Sequence, residues 1–198
     1  TPITLAHLLT HTAGFGYEFM NATVVAALGE DRGAPGSLAS LNQHLLFEPG
    51  TAWEYGISTD WAGRAIEAVT GQSLGVARAE LLTGPLGMVD TTFHPDDAQR
   101  ARAATLYARL PDDSLTPLPI EFGGGATAEF ESGGGGLWST AEDYFRLLSL
   151  ILNQGMHGGQ RLLSEDTIRL LTTNQVGDLR AGAMGSIMPA MAHPYDPF

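Results

Sequence analysis

The sequence predicts an α+β protein seen mainly through its helices: about six helical segments, one β-hairpin and two glycine clusters. Three observations carry that reading. Apolar residues recur at helical spacing in several stretches, most of them opened by Ser or Thr and closed by Gly. Strand-like pattern is confined to one region, residues 105–120. A hydrophobic fraction of 43% and a charged fraction of 16% in 198 residues describe a globular chain with a core of its own. A mostly helical unit with so few strands fits a helical region set within a larger α+β enzyme.

Taken in order, Thr4 is an N-cap for a short helix over residues 5–11, which Gly14 and Gly16 break. Residues 19–29 read as a weak helix and Asp31 to Ser37 as a loop. Ser37 is expected to cap a helix carrying Leu38, Leu41, Leu45 and Leu46 on one side, ended by the turn Glu48-Pro49-Gly50. From Ser58 to Thr70 the stripe Ala62, Ala65, Ile66 and Val69 has helical spacing, and Gly71 stands where a left-handed C-cap belongs. Ser73 starts another helix, which fails at Gly84-Pro85, and Val89 to Phe93 is short and extended. Thr105–Leu110 and Leu115–Ile120, separated by Pro111-Asp-Asp-Ser114, form the hairpin, with prolines that confine its second arm to an edge. Glycines cluster at 123–125 and 133–136. Ser139-Thr-Ala-Glu142 reads as a capping box for a helix that is apolar nearly all round, and so is expected to be the most buried element. Ser164 caps a last helix through Leu171. After Val176 the periodicity disappears.

Composition removes whole classes of function. The formal charge is −12, and all ten basic residues are Arg, so the chain contains no Lys. A phosphate-cradling GxxxxGK loop and a Ser-x-x-Lys dyad within these residues are both excluded. The acidic balance repels nucleic acid and anionic membranes, and no apolar run is long enough to span a bilayer. Without Cys there are no disulfides or thiolate metal sites, which leaves the compartment open. The ends, Thr1-Pro-Ile-Thr and Pro194-Tyr-Asp-Pro-Phe198, read as cut.

Five stretches carry candidate chemistry. Gly71-Gln-Ser73-Leu-Gly75 matches the GxSxG nucleophile elbow, which Asp143 and His157 could complete in the order Ser, Asp, His. The elbow needs a strand before the serine, whereas a helix is predicted there, so Ser73 reads as a decoy. His7 and His11 are four apart, a metal-sharing spacing on a helix, but no third ligand is evident. Gly123 to Ala128 can be read as GxGxxA without the strand–helix unit that motif requires. Gly133–Gly136 reads either as a point of close approach, by a ligand or by another backbone, or equally as a flexible loop before the capped helix.

The fifth stretch is Trp53-Glu-Tyr55-Gly-Ile57-Ser58, which places a phenol in a turn just before a helix. A phenol ionises near about pH 10, so it is a poor base unless a cation and a helix N-terminus assist it. The helix from Ser58 can supply the second. The cation is missing, since Arg64 lies about two turns along that helix.

Several segments, read in order, resemble the serine β-lactamase/penicillin-binding-protein superfamily, and most closely its family VIII carboxylesterases. They are Ile3 to Gly14 (ITLAHLLTHTAG), Pro49 to Tyr55 (PGTAWEY), Ile66 to Gly71 (IEAVTG), Pro85 to Phe93 (PLGMVDTTF), Gly135 to Asp143 (GGLWSTAED) and Leu162 to Ser164. Together they span nearly the whole chain. The resemblance implies a β-lactamase/transpeptidase-like fold of which residues 1–198 form one partial domain: mainly the helical region with a small hairpin, lacking most of the sheet. It also implies an acyl-enzyme serine hydrolase acting on a small ester, with no metal or organic cofactor. Tyr55 matches the family's second motif, whose Tyr is the general base. The Ser-x-x-Lys nucleophile motif is expected upstream of Thr1 and the third motif downstream of Phe198, so these residues alone are expected to be inactive. Where lactamases carry Asn, Ile57 stands, and a lactam amide left unpaired costs roughly 1–3 kcal/mol, which favours esters. Trp53, Ile57, Gly134 and Gly135 are the expected substrate-binding residues, with Trp53 equally placed for the core.

Overall fold

The computed structural model describes residues 1–29, 33–110, 112–118 and 127–181. The elements in chain order are α1 (Leu5–Leu9), α2 (Ala22–Leu28), a 3₁₀ turn (Leu38–Leu41), α3 (Ser58–Thr70), α4 (Leu74–Arg78) and a π-helical turn (Ala79–Thr83). Then follow α5 (Asp97–Arg100), the antiparallel pair β1 (Tyr107–Arg109) and β2 (Leu115–Pro117), α6 (Ala141–Leu152), the pair β3 (Met156–His157) and β4 (Gln160–Arg161), and α7 (Glu165–Thr172).

Local chemistry sets most boundaries. Thr4 caps α1 by accepting from His7 N, and His7 Nδ1 accepts from Thr4 N in return. Ser73 and Ser164 cap α4 and α7 in the same way. Gly71 ends α3 in the left-handed conformation, φ 70°, with its N–H on Glu67 O. The hairpin pairs Tyr107 with Pro117 and Arg109 with Leu115, so Pro117 does lie in an edge strand. Pro111 in its turn and residues 119–120 of its second arm lie outside the described residues.

Three expectations change. The helix expected from Ser37 through Leu46 is only the 3₁₀ turn, because Leu46 N donates to Gly14 O and Gly50 N to Thr12 O. Those long-range bonds tie residues 46 and 50 to residues 14 and 12, and the turn expected at Glu48-Pro49-Gly50 is present, with Thr51 N donating to Glu48 O. The cap of α6 is Thr140, not Ser139, and Asp143 rather than Glu142 sits at its third position. That shift frees the Asp143 carboxylate, 3% exposed, to accept from Asp90 N and Thr91 Oγ1 at 2.8 and 2.9 Å. Finally, α6 is not the most buried element among the described residues. Leu150 is fully enclosed, whereas Phe145 is 65% and Leu152 76% exposed.

Among the described residues, most of the buried apolar side chains fall into two clusters. One joins Leu8, Ala13, Phe15, Leu41, Ile57, Ala62 and Phe130; the other joins Leu86, Met88 and Leu150. The first lies under α1 and α3 and carries the candidate site.

Candidate active site

Tyr55 is placed by backbone before any side chain acts. Glu54 N donates to His11 O at 3.0 Å, continuing the pairing that begins at Gly14 and Thr12. Gly56 then passes so close to the neighbouring chain that an added Cβ would lie 2.4 Å from Phe15 O and 2.5 Å from Gly16 Cα. Only glycine fits between two backbones at that separation. The chain turns directly into α3, whose first residue is Ser58. The half-buried Tyr55 ring is therefore held at the N-terminal end of a helix of 13 residues.

Three aromatic side chains surround it. Ring centroids lie 5.0 Å away for His11, 5.1 Å for Tyr17 in edge-on contact, and 6.5 Å for Trp53, which stacks at 11°. Contacts of this kind add about 0.5–1.5 kcal/mol each to the area they bury. Burial, the Asp60 charge and Tyr55 together push the Tyr17 hydroxyl well above the usual phenol range, so Tyr17 stays protonated.

Asp60, one turn into α3 and 5% exposed, ties the glycine-rich loop to this region. Its Oδ1 accepts from Ser132 Oγ at 2.5 Å and from Gly134 N at 3.1 Å. The loop approaches so closely that a Cβ on Gly133 would lie 2.1 Å from Thr59 O. At Gly133 the close approach is made by a neighbouring backbone. On the loop's other side Gly134 and Gly135 line an apolar cleft of about 610 Å³ with Leu9, Ile66, Leu81 and Phe93.

A family model described as Beta-lactamase matches residues 1–186. The chain belongs to the β-lactamase family. A lovastatin esterase of Penicillium rubens is 31% identical over all of this chain and half of its own length. A monacolin J acid methylbutanoyltransferase of Aspergillus terreus is 33% identical over 85% of this chain and 41% of its own. The solved structure of simvastatin synthase from Aspergillus terreus superposes with a TM-score of 0.74 at 31% identity, over 87% of this chain and 43% of that one. The chain thus spans about half the length, or less, of the relatives it matches. The fold is β-lactamase/transpeptidase-like, and the related proteins include esterases and acyltransferases.

Within a β-lactamase-family chain the remaining candidates fall into place. Ser73 follows a helix, not a strand, and its Oγ accepts from Val76 N as the cap of α4, so no nucleophile elbow is built. Asp143 is committed to Asp90 and Thr91. The helical His7–His11 spacing is not realised, because α1 ends at Leu9 and His11 adopts φ 57°. Among the described residues no group of three or more His, Cys, Asp or Glu could hold a metal, and no helix is long and apolar enough to cross a membrane. Residues 123–126 of the GxGxxA stretch lie outside the described residues.

Ile57 requires a correction. Expected at the substrate, it is 6% exposed and packs with Leu8, Phe15 and Phe130. Spacing from Tyr55 marks its position in the motif but not the direction of its side chain, which here is inward. Trp53 is half-buried against Tyr55 and His11. Asp60, Gly56 and Tyr17 were not legible in the sequence, and His11 was legible only as a metal candidate, since each reaches this region through a tertiary contact. A larger cleft of about 810 Å³ is lined by Ser73, Arg78, His94 and Glu131, and Tyr55 lines neither this cleft nor the one at Gly134 and Gly135.

Proposed function

We propose that the protein is a serine hydrolase of the β-lactamase fold that acts through an acyl-enzyme on small carboxylic esters, with Tyr55 as general base. Residues 1–198 form part of one such domain. The observation that carries this reading is Tyr55 itself. The residue matching the family's second motif is fixed by backbone pairing, by Gly56 and by three aromatic rings at the start of α3. A proton acceptor must be held close to its productive geometry to be effective.

The chemistry balances as follows. Tyr55 removes the proton of a serine hydroxyl as that oxygen attacks the ester carbonyl, and returns it to the departing alkoxide. It then takes a proton from water as the acyl-enzyme is hydrolysed, releasing acid and restoring serine. A lysine beside the nucleophile lowers the cost of the phenolate. No lysine occurs in residues 1–198, so on this reading the Ser-x-x-Lys motif lies outside these residues, and residues 1–198 alone are expected to be inactive. Trp53, Gly134 and Gly135 are proposed to border the substrate. The preference for esters is supported by the esterase relatives and no longer by Ile57, whose side chain is enclosed.

The full-length enzyme is expected to hydrolyse a nitrophenyl ester at least about tenfold faster than nitrocefin, a ratio of about 1.4 kcal/mol in barrier. Ser73→Ala is expected to keep that ester activity within about twofold and to cost about 1 kcal/mol of stability through loss of the α4 cap. Comparable turnover of nitrocefin contradicts the substrate class, and loss of ester turnover in Ser73→Ala contradicts the mechanism.

A further inference from the structure

We propose that His11 is a positioning residue for Tyr55: the chain holds it in the left-handed conformation just past α1 so that its imidazole packs on the phenol ring and fixes that ring's plane. The inference rests on the reading of Tyr55 as general base and assigns a role to a residue outside the second motif.

Three independent observations converge on His11. Among the described residues, three other than glycine have positive φ: His11, Asp113 and Gln154. Asp113 and Gln154 are exposed in turns, whereas His11 is half-buried beneath the site. Its Nδ1 is buried and has no hydrogen-bond partner among the described residues. Its ring touches both aromatic neighbours of the motif, Tyr55 at 5.0 Å and Trp53 at 5.8 Å, tilted 53° and 57°.

The turn does not need an imidazole. Backbone alone makes the bonds that matter there, His11 O accepting from Glu54 N and His11 N donating to Leu8 O. Glycine or asparagine reaches positive φ more readily than histidine. Left-handed backbone and an unpaired buried nitrogen both cost stability, and what histidine supplies in return is a flat ring against Tyr55. Strain that persists beside a reacting group points to function. Burial lowers the imidazole pKa, so near neutrality the ring is uncharged. It can therefore orient Tyr55 without supplying the cation that the mechanism takes from lysine.

Two substitutions in the full-length enzyme separate positioning from folding. His11→Asn keeps a residue suited to positive φ and removes the ring; His11→Phe restores a ring without its nitrogens. With a nitrophenyl ester, His11→Asn is expected to lower kcat about tenfold or more while KM changes less than about twofold and Tm holds, because misorientation acts on the chemical step. His11→Phe is expected to recover most of that loss. A fully active His11→Asn overturns the proposal, as does His11→Phe remaining as impaired as His11→Asn. Tyr55→Phe measured alongside tells the two readings apart. If it is inactive while His11→Asn is fully active, only the role of His11 falls; if it is active, the general-base assignment falls.

Discussion

Tyr55→Phe in the full-length enzyme is expected to lower kcat for a nitrophenyl ester by about 10²–10⁴-fold, the range that general acid–base groups contribute. The protein should remain folded, because the ring contacts with His11, Tyr17 and Trp53 are all available to phenylalanine. What disappears is the hydroxyl that accepts the nucleophile's proton and returns it to the leaving group. Both acylation and deacylation lose that group, so no burst of nitrophenol should precede the slow phase. Tyr17 cannot substitute for it, since burial and the Asp60 carboxylate keep that phenol protonated. Wild-type turnover in Tyr55→Phe would make Tyr55 a packing residue.

The second large effect is expected at Gly56. A methyl group there would meet Phe15 O at 2.4 Å, Gly16 Cα at 2.5 Å and Gly16 N at 2.6 Å. All three are backbone atoms, so no side chain can swing aside, and the two segments must part. Gly56→Ala is expected to cost about 3 kcal/mol, the upper end of the penalty for overpacking. Because Gly56 adjoins Tyr55, the shift also moves the phenol, so kcat should fall further than stability explains. Gly71→Ala is the control. Gly71 has left-handed φ but nothing within 4 Å of an added Cβ, so its cost is about 1 kcal/mol of backbone strain, with ester turnover unchanged. Urea unfolding and kcat of the two variants decide it: equal stabilities would show that the backbone contact at Gly56 is not what sets Tyr55.

What could be read from sequence was what depends on neighbours in the chain. Thr4, Ser73 and Ser164 cap the helices they were expected to cap, and Gly71 ends α3, because caps are satisfied within a few residues. The same local reasoning failed at residues 42–46. Ser37 and the leucine spacing favour a helix, and backbone bonds to Thr12 and Gly14 outweigh them. The β3–β4 hairpin was missed although its signal is present: Gly158 and Gly159 have φ 54° and 81°, the two positive values a type I′ turn needs. The apolar surround of α6 was read as burial, yet Tyr144, Phe145 and Leu152 are exposed among the described residues.

The candidate site was legible only in part, for a related reason. Motif order located Tyr55, but chemistry read from the residues alone left it without a cation. Nothing in the spacing distinguishes Ile57 turned inward from Ile57 turned to substrate, or shows Asp60 reaching across to Ser132 and Gly134. The glycine run did not say which neighbour comes close, and at Gly133 that neighbour is Thr59 O.

The central claim is that Tyr55 serves a serine outside residues 1–198. Treating the full-length enzyme with a fluorophosphonate, which phosphonylates activated serines irreversibly with loss of fluoride, and mapping the adduct by peptide mass spectrometry tests it directly. The account predicts one modified serine, in a Ser-x-x-Lys sequence beyond these residues, with labelling slowed by Tyr55→Phe and unaffected by Ser73→Ala. An adduct on Ser73 would contradict it.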